Sequence, residues 1–135
     1  MSEEKNVHEA KRWLKQAKAD LLAARHSAEN KSFEWASFQS QQAGEKALKA
    51  LLYFFDYDPW GHSLVNLMEE YPEKKIKEKI KLFLDDAKLL DKYYIPTRYP
   101  NGLPDLTPSE IYTKDDDVRA IKAASCIVDT IEDII

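Results

Sequence analysis

The sequence predicts an all-α fold, an up-down bundle of four long helices with one additional short helix. Apolar residues recur at alternating spacings of three and four, which places them on one stripe of a helix and on neither face of a strand. Glycine and proline number only 3 and 6 among 135 residues, which is not typical of a loop-rich β protein. Hydrophobic residues make up 44% of the chain, so we expect residues 1–135 to form a single helical domain with one core.

The first two helices are predicted at residues 7–28 and 33–55, joined as an antiparallel hairpin. Asn6 and Glu9 match a capping box, in which each side chain satisfies a free backbone N–H at the helix start. Ser32 is a candidate N-cap for the second helix.

Small residues dominate the apolar stripe of the second helix, and Gly44 lies beside them. A glycine inside a helix costs about 1 kcal/mol relative to alanine. We therefore expect another helix to approach closely at Gly44.

The second half of the chain is predicted to contain the short helix and two further long ones. The short helix covers residues 63–70, and Pro72 then permits the start of a long helix at residues 73–92. Residues 93–108 hold four of the six prolines and cannot form a long helix. The last helix begins after Thr113 as N-cap and runs to the C-terminus.

Composition excludes several classes of protein. The net charge of −4 argues against a general nucleic-acid binder, although a local basic face remains compatible with it. No apolar stretch is long enough to span a membrane, and the acidic residues 1–5 do not resemble a signal peptide. The single cysteine, Cys126, is expected to be a small buried residue, and a reducing cytoplasm fits this content.

Polar residues form a stripe on the second helix, at spacings i, i+3, i+4 and i+7. Its members are Gln42, Glu45, Lys46 and Lys49. The spacing alone favours a solvated stripe with a Glu45–Lys49 ion pair. The functional alternative is that Lys46 and Lys49 hold a phosphate group.

The segment at residues 93–102 combines three tyrosines, one arginine and flanking prolines. Arg98 can bind phosphate through its planar fork, and Tyr94 or Tyr99 can stack on a base. The alternative is a loop pinned to the bundle by its tyrosines, with Arg98 bound to backbone carbonyls. The ligand hypothesis requires the Arg98 guanidinium to be held in a cleft.

His62 follows Gly61 at the start of the short helix and is a candidate general acid or base. A lone histidine beside a turn is more often a cap or a packed residue. The sequence shows no zinc-ligand spacing, no glycine-rich phosphate loop and no Ser/His/Asp pattern. We therefore expect neither a metal nor a cofactor.

Several of these segments together resemble the HEPN domain family (higher eukaryotes and prokaryotes nucleotide-binding). The resemblance lies in residues 13–17, 20–21, 42–51, 61–64 and 93–100, and it covers nearly the whole chain. It implies a five-helix arrangement that dimerises. Short stand-alone members resemble those that act with a minimal nucleotidyltransferase in a two-component system.

Many members of that family are metal-independent ribonuclease toxins, whose site at the dimer interface contains an Arg followed after four to six residues by a His. Arg98 is the only match for this arginine, no histidine follows it, and Tyr99 replaces the polar residue that commonly comes next. The resemblance therefore does not supply the ribonuclease site. His62 could serve as the missing histidine only if the fold brings it beside Arg98.

Three hypotheses remain open at this point. The first is a dimeric module that binds a nucleotide or RNA through Arg98, the loop tyrosines and the lysines of the polar stripe. The second is a divergent ribonuclease toxin in which Arg98 clamps the scissile phosphate and His62 or a tyrosine transfers a proton. The third is a purely structural partner protein. We expect a homodimer because the small-residue seams and Trp35 suggest more apolar surface than one bundle buries.

Overall fold

The computed structural model describes residues 2–71 and 73–135, and over these residues the fold is all-α, as predicted. Pro72, at which the sequence predicts a helix start, and Met1 lie outside the described residues. The helices are α1 (Glu3–Glu29), α2 (Phe33–Phe54), α3 (Leu64–Glu69), α4 (Lys74–Ile80), α5 (Leu84–Asp91), α6 (Pro108–Ile111) and α7 (Lys114–Ile134), with 3-10 turns at Lys81–Phe83 and Pro100–Gly102.

Helix α2 lies at the centre of the bundle. It packs most extensively against α1 and α7, and it also contacts α3 and α5. Its side chains are therefore buried on several sides, including Leu48, Leu51 and Leu52. The predicted hairpin is confirmed, because α1 and α2 are joined by a turn of three residues in which Lys31 adopts a positive φ of 63°.

The predicted long helix at residues 73–92 is interrupted. Helix α4 ends at Ile80, a 3-10 turn follows, and α5 begins at Leu84. All five apolar residues of the predicted stripe are nevertheless buried: Ile76, Ile80, Phe83, Ala87 and Leu90. A 3-10 turn keeps residues i and i+3 on the same side, so the apolar spacing cannot distinguish it from a continuous helix.

Of the three predicted caps, Asn6 is wrong, Ser32 has the predicted position without the capping hydrogen bond, and Thr113 is confirmed. Helix α1 begins earlier than predicted, because Ser2 accepts a hydrogen bond from the backbone N–H of Lys5, which leaves Asn6 inside the helix and buried. Ser32 is at the N-cap position of α2, but its side chain makes no capping hydrogen bond. Thr113 and Asp116 form a capping box at the start of α7.

Gly44 lies where three other helices approach α2. A Cβ added to Gly44 would be 2.8 Å from Leu64 Cδ2, 2.9 Å from Leu90 Cδ1 and 3.7 Å from Ile127 Cδ1. The predicted close approach is therefore present, and it is made by side chains of α3, α5 and α7.

Cys126 is exposed, so the prediction that it is buried was wrong. The face of α7 that meets the core carries Ala123, Ala124 and Ile127, which places Cys126 outside it. Partial burial is the main cause of a raised pKa of the thiol, and the neighbouring carboxyl group of Asp86 is the second cause. The raised pKa makes the thiol less reactive. Among the described residues, no helix is long and apolar enough to cross a membrane.

Candidate functional site

The Arg98 guanidinium lies over three aromatic rings. Its guanidinium Cζ is 4.3 Å from the ring centroid of Phe38, 4.6 Å from that of Tyr94 and 5.3 Å from that of Tyr99. The Nε atom donates a hydrogen bond of 2.8 Å to the carbonyl oxygen of Tyr94. The alternative to a ligand site was that backbone carbonyls bind Arg98. This is correct for one nitrogen, Nε, which is bound to the backbone of the same loop.

The local turn explains this position of Arg98. The hydroxyl of Thr97 donates to the carbonyl oxygen of Tyr93, and the backbone N–H of Arg98 donates to the carbonyl oxygen of Ile95. These bonds fold residues 93–98 into consecutive turns at the end of α5. The Arg98 side chain is thereby directed back over the Tyr94 ring.

The terminal nitrogens of Arg98 remain available. Within residues 2–71 and 73–135, neither of them makes a hydrogen bond or an ion pair with another side chain or with the backbone. The side chain is half-buried, and Tyr99 beside it is 50% exposed. The guanidinium presents its N–H₂ groups on an aromatic surface, so the enclosed cleft that the ligand hypothesis requires is not found around Arg98 among the described residues. What remains of that hypothesis is that the terminal nitrogens are not bound within the protein.

The fold brings His62 onto Tyr94, the same ring that Arg98 contacts. Its ring stacks on Tyr94, with centroids 4.7 Å apart and an angle of 19° between the planes. Tyr94 thus contacts both candidate residues, although they lie on different elements. The side chain of His62 is 56% exposed, which leaves it accessible to a ligand.

A buried carboxylate orients His62. The Nδ1 atom of His62 is 3.3 Å from each carboxylate oxygen of Glu45, and Glu45 is only 4% exposed. Lys49 forms an ion pair of 3.1 Å with Glu45, and Gln41 donates to Glu45 and to the carbonyl oxygen of His62. The Glu45–Lys49 pair is therefore present as predicted, but it is buried rather than solvated, because α2 is the central helix.

Lys46 faces α1, whereas Gln42 contacts Gln41, which holds Glu45 and His62. Lys46 forms an ion pair of 2.6 Å with Asp20 on α1, and Gln42 donates a hydrogen bond of 2.8 Å to Gln41. Lys46 also lines a concavity of about 640 Å³ whose other residues are Glu9, Arg12, Trp13, Lys15, Gln16 and Ala19. The polar stripe therefore divides into a buried part that supports His62 and a more exposed part that faces α1.

Asp91 fixes the start of α3 and was not identified from the sequence. Its carboxylate accepts hydrogen bonds from the Ser63 hydroxyl and from the backbone N–H groups of Leu64 and Val65, at 2.7 to 3.2 Å. Asp91 is the last residue of α5, and Tyr94 follows shortly after it. The end of α5 therefore positions the start of α3, which His62 precedes, as well as Tyr94, on which His62 stacks. Phe38, Glu45 and Gln41 were likewise not predicted to belong to the site, and no spacing in the sequence marks Phe38.

The fold agrees with the comparisons with known proteins. The HEPN domain family model matches residues 10–134, and the chain belongs to the HEPN domain family. It is 28% identical over 137 residues to a protein of Methanocaldococcus jannaschii named "Putative toxin MJ1304", with 96% of this chain and 90% of that protein covered. It is also 30% identical over 135 residues to human sacsin, but the chain spans only 3% of the length of sacsin.

Solved structures show the same fold. TT1696 from Thermus thermophilus superposes with a TM-score of 0.87 at 35% identity, covering 94% of this chain and 98% of that one. ST0689, described as an archaeal HEPN homologue, superposes with a TM-score of 0.76 at 35% identity, covering 93% and 96%.

Proposed function

We propose that this chain is a nucleotide- or RNA-binding HEPN module that acts as a dimer with a minimal nucleotidyltransferase in a cytoplasmic, toxin-antitoxin-like system. The observation that carries this proposal is the Arg98 guanidinium, whose terminal nitrogens have no partner among the described residues while it contacts the Phe38 and Tyr94 rings and its Nε is bound to the Tyr94 carbonyl. A guanidinium fixed in this way loses little side-chain entropy when it binds phosphate through two N–H groups.

The neighbours of Arg98 suit a nucleic-acid strand. Tyr99 is half-exposed beside the guanidinium and offers a face on which a base can stack. His62 adds a second accessible donor next to Tyr94. Stacking on Tyr99 and a hydrogen bond from His62 can be made with any base. We therefore propose binding to single-stranded RNA with little preference for individual bases.

Lys46 is the more suitable of the two lysines for a further phosphate contact. It is the more exposed of the two, and it lines a concavity with Arg12 and Lys15. Lys49 is buried and engaged by Glu45, so its role in the proposal is to hold the carboxylate that orients His62.

The two-component role rests on the relatives. The similarity to a protein named as a toxin extends over nearly the whole of both chains. Short proteins of this family that consist of little more than the HEPN domain resemble partners of minimal nucleotidyltransferases.

The binding proposal is tested by fluorescence anisotropy with a labelled single-stranded RNA, measured at low and moderate salt. We expect Arg98→Ala to weaken binding by about tenfold or more, since stacked and bidentate arginine contacts contribute more than a point charge. Arg98→Lys should give an intermediate affinity. Lys79→Ala, which removes the same charge from an exposed position on α4, is the matched control and should change little. Equal binding by the wild type and Arg98→Ala would contradict the proposal.

A second candidate function, a divergent ribonuclease, is favoured by the Glu45–His62 pair, because His62 stacks on the Tyr94 ring that Arg98 also contacts. A histidine oriented by a carboxylate is a common arrangement for general acid–base catalysis. The same RNA mixtures, resolved on a gel, distinguish the two functions. Cleavage that is lost in both His62→Ala and Arg98→Ala supports the ribonuclease, whereas intact RNA that is bound supports the binding module. RNA that is neither bound nor cut would leave only a structural partner.

A further inference from the structure

Helix α4 and the first residue after it form a basic segment in an acidic protein. Residues 74–81 contain five lysines and one glutamate, whereas the whole chain has a net charge of −4. All five lysines are exposed: Lys74, Lys75, Lys77, Lys79 and Lys81. In the described part of the chain, none of them forms an ion pair. The positive charge of this segment is therefore available to an external partner.

An apolar concavity of about 220 Å³ lies between α3 and residues 77–84, and we call it the α4 pocket. Its apolar lining consists of Val65, Met68, Ile80 and Leu84. Lys77 and Lys81, one helical turn apart, are exposed at its edge. A cavity of about 150 Å³ is enough to hold benzene. The α4 pocket can therefore accept one apolar side chain while the two ammonium groups contact carboxylates beside it.

The chemistry of the α4 pocket favours a protein segment over a nucleic acid. Its apolar lining residues are aliphatic, so the pocket offers no ring on which a base could stack. The aromatic residues close to it in sequence, Tyr71 and Phe83, are each only 1% exposed. RNA at this position would therefore be held by phosphate contacts alone. An aliphatic concavity with cations at its edge instead suits an amphipathic helix, whose apolar anchor residues enter grooves of partner proteins.

We propose that the α4 pocket is the docking site for an acidic amphipathic helix of a partner protein. One apolar side chain of that helix lies against Met68 and Ile80, and its carboxylates pair with Lys77 and Lys81. Glu69 lies on the α3 side of the pocket, so the acidic side of the partner helix faces α4. This interaction does not involve Arg98 and does not rest on the proposed binding of RNA.

Fluorescence anisotropy with two labelled peptides tests the docking proposal on the full chain. Each peptide has about 15 residues, a length at which an isolated helix can form. The first carries leucine at spacings i, i+3, i+4 and i+7, glutamate on both flanks of this stripe and glutamine elsewhere, and the second has alanine in place of leucine. We expect the leucine peptide to bind about tenfold or more tightly, because a buried leucine contributes on this scale. Equal affinity of the two peptides, or no binding of the leucine peptide, overturns the proposal.

Two charge-reversal variants of α4 separate docking at the pocket from attraction by net charge. Lys77→Glu combined with Lys81→Glu should weaken binding of the leucine peptide about tenfold or more, because like charges then face each other. Lys75→Glu combined with Lys79→Glu makes the same change at the same spacing, but at residues that do not line the pocket. This control should weaken binding by about threefold or less at physiological salt. Equal losses in the two variants would overturn the proposal.

Other ligands and one further variant distinguish the remaining possibilities. Vesicles of phosphatidylglycerol and a single-stranded RNA should not displace the bound leucine peptide. Displacement by the vesicles would instead make α4 a contact with anionic membranes and overturn the proposal. Arg98→Ala should bind the leucine peptide as the wild type does. Loss of peptide binding in Arg98→Ala would place the peptide at the Arg98 site and overturn this inference without affecting the proposed function.

Discussion

At the scale of single residues, Asp117 is the clearest case of a side chain that reduces the stability of the unliganded protein. Its buried oxygen has no hydrogen-bond partner among the described residues. Asparagine has the same shape without the charge. We expect Asp117→Asn to raise the free energy of unfolding by about 1 kcal/mol at pH 7, or about 4 °C in the melting temperature.

The pH dependence gives this prediction a second measurement. Burial raises the pKa of Asp117 above its ordinary value of 3.8 in the folded state. The folded protein therefore holds this proton more tightly than the unfolded chain, so stability is present below pH 3.8 and is lost as the pH rises through the folded-state pKa. Urea titrations should show the advantage of the Asp117→Asn variant at pH 7 and its disappearance below about pH 4. Equal stability of the variant and the wild type at pH 7 would contradict the prediction.

The loop residues of the candidate site could be identified from the sequence, but their partners could not. Composition alone singles out Arg98, Tyr94 and Tyr99. His62 was noted separately, and only the packing of α3 against the end of α5 brings it onto Tyr94. The burial of Glu45 also depends on tertiary structure, because helical spacing shows which residues share a face and not what covers that face.

At the scale of one element, Gly44 allows α2 to occupy the centre of the bundle. Alanine favours a helix by about 1 kcal/mol relative to glycine, but its Cβ would lie within 2.9 Å of two fully buried leucine side chains. Overpacking of this kind costs about 1–3 kcal/mol. We therefore expect Gly44→Ala to lower the free energy of unfolding by about 1 kcal/mol, measured by urea denaturation.

A double-mutant cycle provides the control for this prediction. Leu90→Val shortens one of the two leucine side chains that the new Cβ would contact. The double variant should therefore be more stable than the sum of the two single changes predicts. An increase in stability for Gly44→Ala alone would show that the leucines move aside without cost.

Helix positions were more predictable than helix ends and interruptions. The stripes of α1, α2 and α7 follow the apolar spacing, and the predicted ranges differ from the observed ones by a few residues. The break after Ile80 could not be predicted because its 3-10 turn preserves the spacing. The prediction of a capping box at Asn6 is wrong for another reason. Ser2, four residues earlier, is an equally good N-cap residue, and the helix begins there.

At the scale of the whole molecule, four amphipathic stripes were enough to predict the fold, because each stripe must be buried against the others. The all-α prediction is confirmed, and the similarity to TT1696 supports the same arrangement. The concavity of about 730 Å³ between the α1–α2 turn and one face of α7 was not predicted, since α7 is distant in sequence from the other two helices. Concave sites of this kind depend on how helices are placed against one another, which periodicity does not specify.

The expected homodimer is the property of the whole molecule that is simplest to test. Trp35 and Phe38, whose rings pack edge to face, form an aromatic face at the start of α2, and Trp35 is 48% exposed. Aromatic residues with arginine are enriched at the centres of protein interfaces. We therefore expect light scattering to give twice the monomer mass at micromolar concentration.

Two charge substitutions locate this interface. Trp35→Glu places a carboxylate within the aromatic face and should shift the mass toward the monomer, because an unpaired buried charge is strongly unfavourable at an interface. Leu82→Glu adds the same charge at a residue that is 89% exposed on the 3-10 turn between α4 and α5, and it should leave the dimer intact. If Leu82→Glu dissociates the dimer and Trp35→Glu does not, the two copies associate through the α4–α5 region.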